Sequence, residues 1–329
     1  MKILVYGAGV QGSVYAARLI RAGHDVSVLA RGVRLKQIRD HGLVLRELTL
    51  GVEISTPAHV VERLDAEDRY DLVIVSVRRD QLQVVLPELA ANRHVPTFLF
   101  FLNNAAGFDH ISHLLGRSRV LAGFPTVGGS RLDHVIHYVL ISQQPTTVGE
   151  LDGALTERLK TIRHVLQQAG FPVAISGNID AWLKTHVVFI IAIAGALCLA
   201  GGDSLQLART PDLLSLMVSG VREGFRELRA QSIPVIPLKL RALFLWFPPF
   251  VPVMYWKRYL GSERGELTIA RHVRAAPDEM KELVNEWRDL QGRHPAKTPA
   301  LDRLCSAISR PRKVGQAVDV SLDNQSLLF

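Results

Sequence analysis

The sequence predicts an α/β protein, in which an N-terminal doubly wound parallel sheet is followed by a mostly α-helical C-terminal domain. Three observations lead to this prediction. A strand, a glycine-rich turn, a helix and a second strand occupy residues 1–31, strand and helix signals then alternate to about residue 175, and helical periodicity dominates afterwards. Alternating strands and helices are typical of a parallel sheet covered on both faces. We therefore expect two domains, of residues 1–176 and 177–329.

The first strand ends in a glycine-rich turn. The apolar run Lys2–Tyr6 is followed by GAGVQG, a helical stretch to Ala22 and a second strand, Asp25–Leu29. Glycines in this spacing, between a strand and a helix, are typical of a Rossmann-type dinucleotide site, because they permit a tight turn and close approach of a pyrophosphate. The helix N-terminus adds free N–H groups for the phosphates. The predicted cofactor-binding residues of the turn are Gly7, Ala8, Gly9, Val10, Gln11 and Gly12.

The end of the second strand favours NADP(H) over NAD(H). A site for NAD usually has Asp or Glu there, which accepts a hydrogen bond from the ribose 2′-OH. Here the strand leads to Arg31, and Arg34 follows, without a carboxylate in that window. A guanidinium is permanently charged and planar, and it can bind two oxygens of a 2′-phosphate. The alternative is that both arginines are ordinary solvated charges.

The remaining elements follow from periodicity and from turn residues. Further strands are predicted at residues 70–77, 96–102, 120–124, 134–142, 146–148 and 172–175. Helices are predicted at residues 81–91, 108–115, 155–169, 180–199, 211–230, 277–291 and 299–308, and proline opens three of these, as suits a first helical turn. We expect the polar tail, residues 310–329, to be loosely held.

Composition restricts the class of protein and its location. The 329 residues carry a formal net charge of +8, but the basic residues are scattered and form no recognised nucleic-acid motif. We therefore expect a surface that attracts an anionic cofactor and substrate, and no nucleic-acid partner. The two cysteines, Cys198 and Cys305, lie far apart, which favours a reducing cytoplasm. No signal peptide is visible before the first strand, and no metal site is predicted.

Two apolar runs need comparison with a bilayer span, which requires roughly 20 apolar residues. Residues 187–202 contain no charge, and residues 242–256 are apolar but interrupted by prolines. We interpret the first run as a buried helix, so no stable membrane insertion is expected. The second run could line a pocket, bury the interface of a homodimer or touch a membrane surface, in that order of preference.

A nucleotide-binding domain supplies a hydride carrier but no proton donor and no substrate contacts, and three side chains could supply these. Reduction of a carbonyl leaves an alkoxide, so a proton donor is needed. Lys184 lies at the start of the charge-free helix, where apolar surroundings would lower the pKa of its ammonium toward neutral pH. Glu279 lies on a helix face with Leu283 and Trp287, and Asn104 follows a strand at the edge where parallel sheets bind ligands.

Each of these side chains has a purely structural alternative. Lys184 could pack its stem on the helix and extend its ammonium to solvent. Glu279 could simply be an acidic residue in a first helical turn, where the helix dipole favours it. Asn104 could be a turn or N-cap asparagine.

Together these motifs resemble the ketopantoate reductase (2-dehydropantoate 2-reductase) family. The resemblance rests on residues 2–12, on LARG at 29–32, on the turn that closes with Asn104, on AWLK at 181–184, and on DE at 278–279 with TP at 298–299. It implies an NADPH-dependent reductase of a small 2-oxo acid, which in the family is ketopantoate for pantothenate biosynthesis. In that reaction NADPH supplies a hydride and Lys184 is the general acid.

The resemblance also implies roles for the other residues. Arg31 and Arg78 would lie near the 2′-phosphate, Asn104 between cofactor and substrate, and Glu279 at the substrate hydroxyl. Catalytic residues would therefore be Lys184, Glu279 and Asn104.

Two departures from the family pattern leave the substrate open. Val188 stands one helical turn after Lys184, where the family usually has a second asparagine, and no clear serine precedes Glu279. Thr268 could replace that serine, or Arg271 could bind the substrate carboxylate. The alternatives are a related NADP-dependent dehydrogenase acting on a more apolar keto or hydroxy substrate, and a non-catalytic NADP(H)-binding sensor.

Overall fold

A computed structural model describes residues 1–141, 143–292 and 297–309. Its strands are β1 (Lys2–Tyr6), β2 (Asp25–Leu29), β3 (Leu43–Glu47), β4 (Val52–Thr56), β5 (His59–Val61), β6 (Leu72–Val75), β7 (Phe98–Phe101), β8 (Val120–Phe124), β9 (Val127–Leu132), β10 (Val135–Leu140), β11 (Thr146–Gly149) and β12 (Val173–Ile175).

The helices are α1 (Val10–Arg21), α2 (Gly32–His41), α3 (Leu82–Ala91), α4 (Asp109–Leu115), α5 (Glu157–Gln168), α6 (Ile179–Leu199), α7 (Ser204–Arg209), α8 (Pro211–Ala230), α9 (Leu238–Arg241), α10 (Phe250–Leu260), α11 (Glu263–Gly265), α12 (Arg271–Ala275), α13 (Pro277–Gln291) and α14 (Pro299–Ser309). Short 3₁₀ turns occupy Arg79–Gln81 and Arg117–Arg119, and π-helical turns occupy Ala242–Trp246 and Glu266–Ala270.

The main sheet has eight strands in the order β12-β11-β8-β7-β6-β1-β2-β5. The six strands from β8 to β5 are all parallel, and their order is the 3-2-1-4-5-6 arrangement of dinucleotide-binding domains. Because these strands are parallel, the loops that follow β1, β2, β6 and β7 emerge at one edge of the sheet. The predicted α/β class and doubly wound sheet are confirmed.

A second, four-stranded sheet has the order β4-β3-β10-β9 and packs against α1. The sequence predicted only one of its strands, the one at residues 134–142. β9 was missed because its sequence, VGGSRL, contains two glycines, which weaken a strand signal. β4 was missed because most of its residues are exposed or half-buried and give no apolar alternation.

Only helices follow β12 among the described residues, and they share one hydrophobic core. Glycines bring α6, α8 and α14 close together: a Cβ added to Gly195 of α6 would lie 2.6 Å from the Leu304 Cβ of α14. α6 is the one described helix long and apolar enough to cross a bilayer, and 72% of its most apolar window is buried within the protein. The prediction of a buried core helix is therefore confirmed.

The exact division between the two domains at residues 176 and 177 stays a prediction. The first turns of α6 pack on the core of the main sheet through Ile179, Trp182 and Leu183, whereas the rest of that helix belongs to the helical core. The helix bounds predicted at 211–230 and 277–291 match α8 and α13. The polar tail, residues 310–329, lies outside the described residues.

Candidate active site

The glycine-rich turn after β1 has the shape that its sequence predicts. Gly7 has a φ of +110°, and a Cβ there would lie 2.4 Å from the Ser76 carbonyl oxygen. A Cβ on Gly12 would lie 1.9 Å from the Gly7 carbonyl oxygen. Gly9 caps α1, and a Cβ there would meet no protein atom within 4 Å. The turn therefore forms a cradle at a helix N-terminus, which fits the pyrophosphate of a dinucleotide.

Arg34 stabilises the glycine-rich turn through hydrogen bonds from a buried side chain. Its side chain is buried, and its guanidinium donates to the carbonyl oxygens of Ala8 and His134 and to the Ser13 hydroxyl, at 3.0–3.1 Å. Burial, together with the nearby Arg131, lowers the pKa of Arg34 to about 10. The expectation that Arg34 faces a 2′-phosphate is wrong, because its donors are used to hold the turn.

Arg31 lies at the end of β2, as predicted, and is about half exposed. Its Nη2 donates to Glu88 Oε2 at 2.6 Å and to the Tyr6 hydroxyl at 3.3 Å, and its Nε donates to the Glu62 carbonyl oxygen at 3.0 Å. These contacts fix the guanidinium at the edge of the sheet while solvent still reaches it.

The arginine pair after β6 divides between two roles. Arg78 is exposed and contacts Asp80 at 3.2 Å. Arg79 is buried and forms an ion pair with Glu286 of α13. Of the two, only Arg78 remains accessible to an anionic ligand.

Lys184 lies beside the turn that follows β7. Its side chain is only 15% exposed, and its Nζ is 2.5 Å from Asp180 Oδ2, one helical turn earlier. The other carboxylate oxygen of Asp180 is 3.6 Å from a Cβ placed on Gly107 of that turn. The sequence predicted apolar surroundings for the ammonium, but the Asp180 carboxylate contacts it instead.

The two asparagines of this turn make different contacts. Asn104 is 1% exposed, and its Nδ2 donates to the Gly107 carbonyl oxygen at 2.9 Å, so it holds the turn closed. Asn103 Nδ2 donates to Glu279 Oε1 at 3.2 Å. Asn103 therefore connects the end of β7 to α13.

α13 presents two buried carboxylates to this turn. Glu279 Oε2 is 3.5 Å from His272 Nε2. Two helical turns later, Glu286 Oε2 accepts from the backbone N–H groups of Ala105 at 2.7 Å and Ala106 at 3.3 Å. Burial raises the pKa of Glu286, whereas the ion pair with Arg79 and these N–H groups oppose that rise. Glu286 thus fixes the backbone of the turn from the helical region.

Three buried oxygens at this junction have no hydrogen-bond donor among the described residues. They are Asn103 Oδ1, Asn104 Oδ1 and Glu279 Oε2. A buried acceptor without a donor costs about 1–3 kcal/mol. Each of these oxygens can accept a hydrogen bond from a hydroxyl or amide N–H group.

The structure does not bring all the predicted substrate-binding residues to this junction. Val188 is fully buried against Gly224 of α8, between two helices. The Thr268 hydroxyl donates to the Arg264 carbonyl oxygen at 2.7 Å and is hydrogen-bonded to the Tyr259 hydroxyl at 2.9 Å. Arg271 donates to Ser130 of β9 at 3.1 Å.

An aromatic cluster adjoins the junction. The ring of His186 lies 4.2 Å from the ring of Phe124 and stacks on Trp182 at 5.4 Å. Burial, with a smaller contribution from His272, lowers the pKa of His186 to about 3. His186 is therefore neutral and behaves as part of an aromatic wall.

Sequence reasoning missed several residues of the site, and some of them leave a signal. Glu286 lies seven residues after Glu279 and so on the same helix face. Asp180 lies four residues before Lys184, the spacing of a helical ion pair. Asn103 stands directly before the predicted Asn104. The contacts of Arg79 and His272 join distant parts of the chain, and nothing local indicates them.

Comparison with known proteins finds similarity to one enzyme family in the N-terminal part of the chain. The family model described as ketopantoate reductase PanE/ApbA matches residues 3–153, which run from β1 to just after β11. Residues 3–153 are thus similar to ketopantoate reductases. The expected class, an oxidoreductase acting on keto or hydroxyl groups, is confirmed at the level of this family.

Individual relatives are distant. The chain is 28% identical over 200 residues to the uncharacterized oxidoreductase YkpB of Bacillus subtilis, and the match spans 59% of this chain and 64% of that protein, a little less than two thirds of its length. It is 25% identical over 241 residues to a 2-dehydropantoate 2-reductase of Aquifex aeolicus, with coverage of 71% and 74%.

Among solved structures, a 2-dehydropantoate 2-reductase of Geobacter metallireducens has a TM-score of 0.74 at 16% identity and covers 94% of this chain and 99% of that one. A D-mandelate dehydrogenase with NADH and anilino(oxo)acetate has a TM-score of 0.71 at 17% identity, with coverage of 94% and 97%. These two similarities show a shared fold over almost the whole chain.

Proposed function

We propose that this protein is an NADPH-dependent reductase of a small 2-oxo acid, similar in reaction to 2-dehydropantoate 2-reductase. The observation that carries the proposal is the position of Lys184. Its partly buried ammonium contacts Asp180, and Asp180 lies next to Gly107 of the turn after β7, the turn that also carries Asn104.

Each residue of the site has a separate role in the proposed reduction. NADPH, when bound at residues 7–12, supplies the hydride that reduces the keto carbon. Lys184 Nζ donates a proton to the keto oxygen, so that a hydroxy acid leaves the site. Asp180 orients the ammonium through its contact with Nζ. Asn104, Asn103 and Glu286 hold the turn in place, so that little reorganisation is needed during the reaction.

Recognition of the substrate falls to α13 and its neighbours in this proposal. Glu279 Oε2 accepts a hydrogen bond from the substrate hydroxyl, which is favoured because this oxygen makes no hydrogen bond to a described residue and has only the His272 ring nearby, at 3.5 Å. Arg271 supplies positive charge for the carboxylate, since its Nη1 donates to Ser130 and a guanidinium has further N–H donors to offer. Thr268 is the weaker candidate, because its hydroxyl already contacts Tyr259 and Arg264.

Arg31 and Arg78 support the choice of NADP(H). Both lie at the edge of the sheet after β2 and β6, and both keep exposed guanidinium surface. A 2′-phosphate would add a second anion to the one each arginine already contacts. The division at residues 176 and 177, a homodimer and a cytoplasmic location remain part of the proposal.

One observation favours a second candidate, a reductase of a more apolar 2-oxo acid. Phe124, Trp182 and the neutral ring of His186 form an aromatic wall near His272, which contacts Glu279. Such a wall suits a substrate with an apolar side chain better than it suits a hydroxylated one.

A panel of 2-oxo acids tests both candidates by the loss of NADPH absorbance. The first candidate predicts the highest kcat/KM with ketopantoate, and the second predicts it with an aryl or branched 2-oxo acid. Binding of NADPH without oxidation across the panel would contradict both and favour the sensor.

A further inference from the structure

The segment between α9 and α10 presents an apolar surface to solvent. Five consecutive residues, Trp246-Phe247-Pro248-Pro249-Phe250, are all exposed, and we call them the apolar tip. Phe250 and Trp246 are 66% and 61% exposed, and Met254, one helical turn after Phe250, is 62% exposed. Single exposed apolar side chains are common on protein surfaces. A contiguous patch of large ones is unusual and marks a site of interaction.

The opposite side of the same segment is buried in the hydrophobic core of the helical region. Phe244 is fully buried, and its ring contacts the rings of Phe189 and Phe225 at 6.0 and 5.7 Å. The segment is therefore anchored, and the apolar tip points away from the protein. This geometry contradicts the first-ranked expectation, that the run as a whole lines a pocket.

The charges within the segment that carries the apolar tip all have one sign. Residues 228–262 contain no Asp or Glu, whereas they contain Arg229, Lys239, Arg241, Lys257 and Arg258. Lys239, Lys257 and Arg258 are exposed. Lys257 lies two helical turns after Phe250, on the face of α10 that also carries Met254.

We propose that the apolar tip binds peripherally to a membrane surface that contains anionic lipids. Aromatic and aliphatic side chains with a rim of Lys and Arg are the composition of protein segments that lie in the headgroup region. Each cation adds attraction to an anionic surface. The association is peripheral, because α6, the one described helix with the length and composition of a span, is buried in the core.

A second copy of this chain fits the apolar tip less well. A two-fold interface places the same patch on both sides. Lys239, Lys257 and Arg258 would then face their own counterparts, and the segment offers no carboxylate to neutralise them. Like charges across an interface oppose association. Charge complementarity thus favours the lipid surface.

Vesicle sedimentation tests this proposal with the full chain. Vesicles of equal parts phosphatidylglycerol and phosphatidylcholine are compared with vesicles of phosphatidylcholine alone. The wild type is expected to bind the anionic vesicles and to lose most of that binding when salt is raised to about 0.5 M. The Trp246→Ser/Phe250→Ser variant is expected to bind at least about tenfold more weakly, because the inserted apolar area is lost.

Two further variants separate the causes. Lys257→Glu/Arg258→Glu is expected to weaken anionic binding by about tenfold or more, because each cation near an anionic surface contributes to affinity. Val84→Ser/Leu155→Ser removes equally exposed apolar side chains elsewhere and is expected to bind as the wild type does. Oxidation of NADPH without vesicles should be the same in all variants, so this test is independent of the proposed reaction.

Three results would overturn the proposal. One is wild-type protein that stays in the supernatant with anionic vesicles. Another is a tip variant that binds as well as the wild type. The third is wild type that sediments as a dimer without lipid and becomes monomeric in the tip variant, which would assign the surface to a second copy.

Discussion

Asn103 and Glu279 are 176 residues apart in sequence and are joined by a hydrogen bond of 3.2 Å between Nδ2 and Oε1. This contact connects the turn after β7 to α13, and Glu286 connects the same turn to the same helix through the backbone of Ala105. The turn beside Lys184 is therefore held by both parts of the chain. In our proposal the relative position of these parts controls the reaction.

Removal of Glu286 should destabilise the protein and disorder the turn. Glu286→Ala leaves the buried guanidinium of Arg79 without its carboxylate, and breaking such a pair costs about 3–5 kcal/mol. The free energy of unfolding, measured in urea, should fall by that amount. Asp289→Ala, an exposed carboxylate on the same helix, is the control and should change it by less than about 0.5 kcal/mol. Equal losses in both variants would show that Glu286 has no special structural role.

Arg31 should determine the choice of nucleotide. In our proposal Arg31→Ala removes a charge-assisted contact with the 2′-phosphate, and such a contact is worth roughly 1.5–3 kcal/mol. The ratio of kcat/KM for NADPH to that for NADH should therefore fall at least about tenfold. Arg39→Ala removes another exposed arginine, one that contacts Glu62, and should leave the ratio unchanged. An unchanged ratio in Arg31→Ala would contradict the assignment of NADP(H).

Acid should destabilise the protein through His186. Its pKa falls from 6.5 to about 3 in the folded state, so between these pH values the unfolded chain binds a proton that the folded chain does not. The contribution of His186 to the free energy of unfolding is therefore complete above pH 6.5 and is lost as the pH falls toward 3. The slope contributed is at most about 1.4 kcal/mol per pH unit.

Urea unfolding at several pH values inside that window, from about pH 4 to about pH 6.5, checks the His186 prediction. His186→Gln should flatten the dependence, whereas substitution of the exposed His164 by Gln should preserve it. A slope that survives in His186→Gln would assign the acid sensitivity to other groups.

Glu279 should distinguish hydroxylated substrates from others. In Glu279→Gln the amide oxygen can still accept from Asn103, but an NH₂ group replaces the oxygen proposed to accept from the substrate hydroxyl. The KM for ketopantoate should rise about 10- to 100-fold, whereas that for 2-oxoisovalerate should change less than about threefold. A similar rise for both substrates would indicate that Glu279 acts only on the structure of the site.

The sequence predicted the main sheet and the cradle because their signals are local. The glycines at residues 7, 9 and 12 and the buried strands β1, β6 and β7 each follow from a few adjacent residues. Of the second sheet only β10 was predicted, because the largely exposed β4 and the two glycines of β9 give no such signal. α8 and α13 were predicted to the residue, since proline marks the start of each helix.

The site was predicted in part. Asn104, Lys184 and Glu279 come to one junction, joined through Gly107, Asp180 and Asn103. Arg34 was misassigned, because its sequence position beside Arg31 does not reveal that its guanidinium is directed inward to Ala8. The pairing of Arg79 with Glu286 spans 207 residues, and no local pattern could have indicated it.

The most direct test of the account is the rate of NADPH oxidation by Lys184→Ala with the preferred 2-oxo acid. We expect kcat to fall by about 10²-fold or more, as is usual when a general acid is removed, with NADPH binding by fluorescence unchanged. Lys257→Ala, which removes an exposed lysine of α10, serves as the matched control and should keep the wild-type rate. Oxidation by Lys184→Ala at the wild-type rate would contradict the central claim that this ammonium protonates the substrate.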